Sequence, residues 1–157
     1  MIKRFYAFAF LANLSFLACG GDAPSPDATK SSSSLPGPEM MPGENCLSCH
    51  RSGGSAARVP WTAAGTVYDT ADSPATAGTP NARVHIVDAQ GKHVQLTTNA
   101  VGNFFTNEPL TLPLNLAVEA NGKRLNMPVP LNAQGACNAC HSHPEPIGGA
   151  RGRIRIR

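Results

Sequence analysis

Two copies of the pattern Cys-x-x-Cys-His constrain this chain more than any other feature of its sequence. The first copy is Cys46-Leu47-Ser48-Cys49-His50 and the second is Cys137-Asn138-Ala139-Cys140-His141. Together they use four of the five cysteines, and the fifth, Cys19, ends an apolar N-terminal run. No cysteine is left for an ordinary disulfide framework unless the two pairs themselves oxidise. The fold must therefore present two such turns, one towards each end of its folded part.

Both copies fit the attachment pattern of a c-type haem. Two thiols three positions apart can reach the two vinyl groups on one edge of a porphyrin, and the adjoining imidazole can then meet the iron. The chain in this respect resembles the multihaem c-type cytochromes. The resemblance implies two covalent haem c groups, with His50 and His141 as proximal iron ligands. It rests on the ten residues of the two motifs.

Three other uses of the cysteine pairs stay open. The two pairs are the ligands that one structural zinc would need, although the 87 residues between them (50–136) exceed the usual spacing and both histidines would go unexplained. Thioredoxin-like redox chemistry would need a strand-to-helix junction in a βαβ context, which neither pair shows. Two local disulfides are the third alternative.

The main candidates for the distal iron position are His85, His93, His143 and Met127, and Met40 and Met41 are further thioether candidates. His143 lies too close to His141 to reach the other face of the same haem, so as a ligand it would bind the haem at Cys46 and Cys49; the alternative is that His143 is only an exposed histidine. His85 and His93 alternate out of phase with the apolar residues of their strands, which predicts the sheet face opposite the core. We expect at most one of these two to be a ligand.

The N-terminal residues predict export. Lys3 and Arg4 precede an apolar run that is short for a bilayer span, and residues 1–18 are predicted to be a cleaved signal peptide. The run ends in a sequence that resembles a bacterial lipobox, which implies lipidation at Cys19 and an envelope lipoprotein, with the outer membrane favoured. Residues 19–43 are rich in Ser, Pro and Gly and predict a mobile tether.

Residues 44–157 are predicted to form one mostly β domain. Strands are expected at 65–68, 82–87, 93–97, 103–106 and 114–120, with turns at 88–91 and 121–122. The stretch GTVYD…NARVHIVDAQGKHVQLTTNAVGNFFT…LNLAVEANGK (65–123) resembles the carboxypeptidase regulatory-like and transthyretin-like modules. That resemblance implies a small Greek-key β-sandwich without catalytic residues. The positions of the two cysteine motifs predict haem-binding segments at its two ends.

The expected function is electron transfer rather than catalysis. The expected partners are redox proteins or other cytochromes, including stacked haem proteins, and the membrane through the lipid. The formal net charge of +3 falls to about +1 without the signal, which argues against nucleic acid. A haem-bearing binding or assembly module and a peroxidase-like dihaem enzyme are the alternatives. The alternating Arg and Ile of 151–157 predict a final strand whose arginines pair with haem propionates, dock an acidic partner or only protect an edge.

Overall fold

The computed structural model describes residues 37–157, and their fold is mostly β. Eight strands and two single-turn helices follow one another along the chain. They are α1 (Cys46–Cys49), β1 (Ala63–Tyr68), β2 (Arg83–Val87), β3 (His93–Thr97), β4 (Asn103–Thr106), β5 (Asn115–Ala120), β6 (Lys123–Asn126), β7 (Gly135–Ala136), α2 (Cys137–Cys140) and β8 (Ile154–Arg155).

The strands form two sheets of four. One sheet has the order β4-β1-β7, with β8 also pairing with β1, and the other has the order β3-β2-β5-β6. The chain crosses between the sheets four times, because β2–β3 and β5–β6 belong to one sheet while β1, β4 and β7–β8 belong to the other. This arrangement confirms the predicted small β-sandwich.

A single apolar cluster lies between the two sheets. Val84 and Ile86 of β2 face Val67 of β1 and Phe104 of β4, and all four side chains are buried. These residues recur every second position, as expected when one face of each strand is covered. The alternation read from the sequence therefore identified the core correctly.

β1 is buried along its whole length because both of its faces are covered. Ala63 and Val67 belong to the apolar cluster. On the alternate face, Thr66 is hydrogen-bonded to Asn138, and the Tyr68 ring packs under the guanidinium of Arg153. β1 is thus the strand that joins the sandwich core to the residues around the two cysteine motifs.

The strands before and after the second cysteine motif both pair with the same edge of β1. β7 pairs in parallel with Ala63 and Ala64, and β8 pairs in parallel with Val67 and Tyr68. Between these two pairings the backbone N–H of Thr66 donates to the side-chain Oδ1 of Asn138 at 3.1 Å instead of to a strand. Residues 137–153 are therefore a loop whose two ends are both fixed on β1.

The described end of the predicted tether is docked on the sandwich. Asn103 Nδ2 donates to the carbonyl oxygens of Pro38 and Met40, and Gly43 N–H donates to Thr66 Oγ1 at 2.9 Å. The folded unit therefore begins before the predicted boundary at residue 44, because side-chain amides and hydroxyls of β1 and β4 satisfy the backbone of this segment. The predicted signal peptide, Cys19 and the rest of the tether lie outside the described residues.

The five predicted strands are all present, with shifts of at most two residues at their ends. β6 and β7 were not predicted, and the predicted strand at 151–157 is reduced to the two residues of β8. Within residues 37–157, neither helix is long or apolar enough to cross a bilayer. A haem-binding role for the terminal segments stays a prediction.

Candidate haem-attachment site

The two motifs adopt the same local structure. In each, the two cysteines are the first and last residues of one helical turn, and the following histidine is the C-cap. The caps have φ −86° and ψ 55° at His50, and φ −83° and ψ 42° at His141. Side chains at positions i and i+3 of a helix lie on one side of it. Each turn therefore presents a pair of thiols on a common side, followed at once by an imidazole.

The loops that follow the motifs also correspond. The carbonyl of the second cysteine accepts a hydrogen bond from the N–H seven residues later: Ala56 donates to Cys49 at 3.1 Å, and Ile147 donates to Cys140 at 3.0 Å. Such a bond closes each loop back onto the end of its helical turn. Each of the two segments, which are far apart in the sequence, thus adopts the same loop structure.

Each motif histidine is held through the same ring nitrogen. Nδ1 of His50 lies 2.8 Å from the carbonyl oxygen of Val59, and Nδ1 of His141 lies 2.9 Å from that of Gly152. A carbonyl oxygen can only accept, so Nδ1 carries the proton in both rings. Nε2 is then the unprotonated nitrogen that can bind a metal, and a hydrogen bond from the other nitrogen is the usual support of a ligating histidine.

The two motifs lie next to each other although 87 residues (50–136) separate them. Both helices pack on β1. Asn138, inside the second motif, donates through Nδ2 to the carbonyl oxygen of Glu44, two residues before the first motif, at 2.9 Å. Cys46 and Cys137 are close enough to interact electrostatically. The fold therefore brings both attachment turns to one region of the molecule, which sequence spacing alone does not reveal.

Burial raises the pKa of two of the thiols. The pKa of Cys46 is raised to about 11, and that of Cys137 to about 12, in both cases mainly because desolvation penalises the thiolate. A nucleophilic redox cysteine needs a lowered pKa. These thiols therefore lack the electrostatic setting of a thioredoxin-like pair, which agrees with the absence of a βαβ context.

The alternatives based on zinc and on disulfides receive no support from the geometry. Within residues 37–157, no group of three or more His, Cys, Asp or Glu side chains is arranged to hold a metal ion. Structural zinc takes four such ligands. The thiols of Cys46, Cys137 and Cys140 are not in disulfides, and Cys49 Sγ accepts a hydrogen bond from Ser48. Neither a shared zinc site nor a disulfide is therefore indicated by the described residues.

Trp61 contributes to the first site, and sequence reasoning gave it no cofactor role. Its ring stacks on the His50 imidazole with centroids 3.5 Å apart and an interplanar angle of 8°, and Phe105 stacks on its other side at 4.4 Å. The Trp61 backbone N–H also donates to the carbonyl oxygen of His50 at 2.9 Å. The stack and the Val59 hydrogen bond together fix the plane of the His50 ring.

The candidate distal ligands are distributed over different parts of the molecule. His143 is exposed in the loop of the second motif, and Met127 lies partly buried at the end of β6, where its N–H donates to Leu116. His85 and His93 lie on neighbouring strands of the other sheet, as predicted. No distal ligation is established for any of the four, which stay candidates.

His85 and His93 contact each other. His85 Nε2 lies 3.2 Å from Glu119 Oε2, and His85 Nδ1 lies 3.2 Å from His93 Nε2. Arg83 pairs with Glu119, and its hydrogen bond is the main cause of the lowered pKa of the Glu119 carboxyl group. Glu119 is therefore an anionic acceptor. His85 therefore donates to Glu119 through Nε2. Both ring nitrogens of His85 have partners within the sheet.

Comparison of the chain with protein-family models, with curated sequences and with solved structures finds no significant match in any of the three. The resemblances to multihaem cytochromes and to carboxypeptidase regulatory-like modules therefore rest on the motifs quoted above. The fold and the two motif geometries carry the functional argument.

Proposed function

We propose that this chain is a dihaem c-type cytochrome that transfers electrons at the bacterial cell envelope. The observation that carries the proposal is the equivalence of the two motifs. Each has a thiol pair on one helical turn, a histidine directly after it and a backbone carbonyl that holds Nδ1 of that histidine. Structural zinc or a disulfide would not require the two imidazoles to be oriented in this way.

The residues of the chain would bind and orient the cofactors. Cys46 and Cys49 would form thioethers with one haem, and Cys137 and Cys140 with the other. His50 and His141 would bind iron through Nε2, and the carbonyls of Val59 and Gly152 would keep each ring in position and raise its basicity. Bound haem supplies one-electron redox chemistry.

The rest of the structure supports a carrier rather than an enzyme. β1 holds both attachment turns, and Asn138 connects the second turn to the backbone before the first, so the two cofactors would be held on one rigid element. Rigid support keeps structural change on reduction small, which favours electron transfer. Redox proteins or other cytochromes are the proposed partners. The lipid on Cys19 is the proposed attachment to the membrane.

The test is to produce the full-length chain in a bacterium that attaches haem c and to count haems by pyridine haemochrome and intact mass. We expect two covalent haems per chain. The double variant Cys46→Ser/Cys49→Ser should retain one haem, and the matched single variant Cys19→Ala should retain two. Apoprotein alone, or one zinc ion per chain without haem, would overturn the proposal.

The ligand role of the histidines has a separate readout. His50→Ala removes an iron ligand but no thiol, so covalent attachment should persist while the visible spectrum of one haem changes. The control Asn132→Ala changes an exposed residue outside both motifs and should leave the spectrum unchanged. An unchanged spectrum in His50→Ala would exclude His50 as the ligand.

A further inference from the structure

Arg153 is a buried arginine whose charge has no partner among the described residues. It is 5% exposed, and its Nε has no hydrogen-bond partner within residues 37–157. Four ion pairs occur in that range, and none includes Arg153. A buried cation is costly unless an anion and hydrogen-bond acceptors compensate it.

The guanidinium is held in place by an aromatic ring. Its central carbon lies 4.4 Å from the centroid of the Tyr68 ring, which is a cation–π contact. Its positive charge lowers the pKa of Tyr68, although burial, the larger effect, raises it overall. The ring supports one face of the guanidinium but offers no acceptor for the N–H groups at its edge. The contact therefore orients Arg153 without neutralising it.

The position of Arg153 relates it to both motifs. The preceding residue, Gly152, supplies the carbonyl that holds Nδ1 of His141. On the other side, Gly43 lies three residues before Cys46, and a Cβ at Gly43 would stand 2.6 Å from Nη1 of Arg153 and 2.7 Å from the Tyr68 hydroxyl. Because glycine has no side chain, Gly43 leaves space for the guanidinium of Arg153. Its φ of +88° is a backbone conformation that favours glycine.

We infer that Arg153 binds a propionate carboxylate of one of the two haems. The inference rests on the proposed function and names the group that one cofactor would present to the protein. A guanidinium has a planar fork of donors that matches a carboxylate, and its pairing with an anion is strongest where water is excluded. Arg153 packs against Gly43 and directly follows Gly152, so it lies beside the segments that flank both motifs. Arg83, Lys92 and Arg157 already have acidic partners, whereas Arg153 has none within residues 37–157.

The pairing has an electrostatic consequence for the haem. A neighbouring cation keeps the propionate ionised by lowering its pKa, and it opposes the removal of an electron from the iron. Loss of the cation should therefore lower the reduction potential of that haem. It should also let the propionate titrate nearer to neutral pH, which makes the potential depend on pH.

The test is potentiometry of the holoprotein as a function of pH. Arg153→Gln should shift one of the two potentials downwards and introduce a pH dependence that the wild type lacks. Arg153→Lys keeps the charge and should restore most of the potential. Arg151→Gln, a substitution of an exposed arginine two residues away, should leave both potentials unchanged.

Haem stoichiometry separates the two ways of failing. A wild type without haem overturns the proposed function, whereas two haems per chain with potentials unaffected by Arg153→Gln overturn only the assignment of Arg153. If Arg153→Gln loses one haem during production, retention of both haems in Arg153→Lys supports the assignment, and loss in both variants opposes it. Added acetate or phosphate should not shift the wild-type potentials. A shift that depends on Arg153 would show that the site takes free anions instead.

Discussion

Asn138 donates a hydrogen bond through Nδ2 to the carbonyl oxygen of Glu44 at 2.9 Å and so connects the two cysteine motifs directly. Its Oδ1 accepts from the backbone N–H of Thr66, and the same Nδ2 lies 3.1 Å from Thr66 Oγ1. Asn138 occupies one of the two variable positions of its Cys-x-x-Cys-His motif. Its side chain thus makes hydrogen bonds to β1 that a neighbouring strand would otherwise make.

Asn138→Ala should destabilise the protein by about 2–4 kcal/mol, because it leaves buried donors and acceptors without partners. The free energy of unfolding measured by chemical denaturation gives the effect. Asn132→Ala is the matched control, since Asn132 is exposed and donates only to the nearby Pro130 carbonyl oxygen. Equal stabilities of the two variants would show that Asn138 does not connect the motifs to β1.

The Asp88 carboxylate should make stability depend on pH. It accepts backbone hydrogen bonds from Thr111, Lys92 and Gln90, which lower its pKa in the folded protein, the Thr111 bond most. The stabilisation is therefore complete above the unfolded-state pKa of about 4 and is lost as the pH falls through the folded-state pKa. Asp88→Asn should lower the melting temperature at neutral pH, and the difference from wild type should shrink on acidification.

Asp72→Asn is the control for this titration, because Asp72 is exposed and no hydrogen bond to its carboxylate is found within residues 37–157. Its melting temperature should follow that of the wild type at every pH. A difference between wild type and Asp88→Asn that stays constant down to low pH would contradict the assigned role of the ionised carboxylate.

Truncation of the two adjacent phenylalanines of β4 should lower the free energy of unfolding by very different amounts. Phe104 is 3% exposed in the sandwich core, so Phe104→Ala should cost about 3–5 kcal/mol through lost burial and the resulting cavity. Phe105 is 37% exposed and stacks on Trp61, so Phe105→Ala should cost about 1 kcal/mol. Denaturation of the two variants measures both values, and a reversed order would contradict the register of β4.

If the chain holds the two proposed haems, substitution of His85 should leave their spectrum unchanged, because Glu119 and His93 already contact its two ring nitrogens. We expect the visible spectrum of His85→Ala holoprotein to match that of the wild type, while the sheet loses stability. His141→Ala serves as the positive control and should alter the spectrum of one haem. A change of spin state in His85→Ala would identify His85 as a distal ligand after all.

The sequence predicted those parts of the fold that depend on local patterns. Val84 and Ile86 alternate with polar neighbours, and Asp88 begins a turn, so β2, β3 and their connection could be recognised. β6 could not, because all four of its residues are exposed and it lacks apolar alternation. β7 has two residues and is defined only by pairing with β1, which no local pattern encodes, and pairing with β1 likewise limits β8 to two residues of the predicted strand.

The candidate site was predictable to the same limited extent. Motif spacing identified the four cysteines and two histidines, but the juxtaposition of the motifs depends on pairing between distant segments. The stack of Trp61 on His50 is equally non-local. The Arg-Ile alternation at the C-terminus predicts exposed arginines, whereas Arg153 is buried because β8 carries it onto the Tyr68 ring.

The loop that carries the second motif begins and ends on one strand, β1. Because residues 135–136 and 154–155 are anchored separately on β1, insertions or deletions between these anchors need not change the register of either sheet. The segment that carries the second motif is thus separable from the framework of the two sheets. Evolution or design could alter the surroundings of that motif without rebuilding the sandwich that supports it.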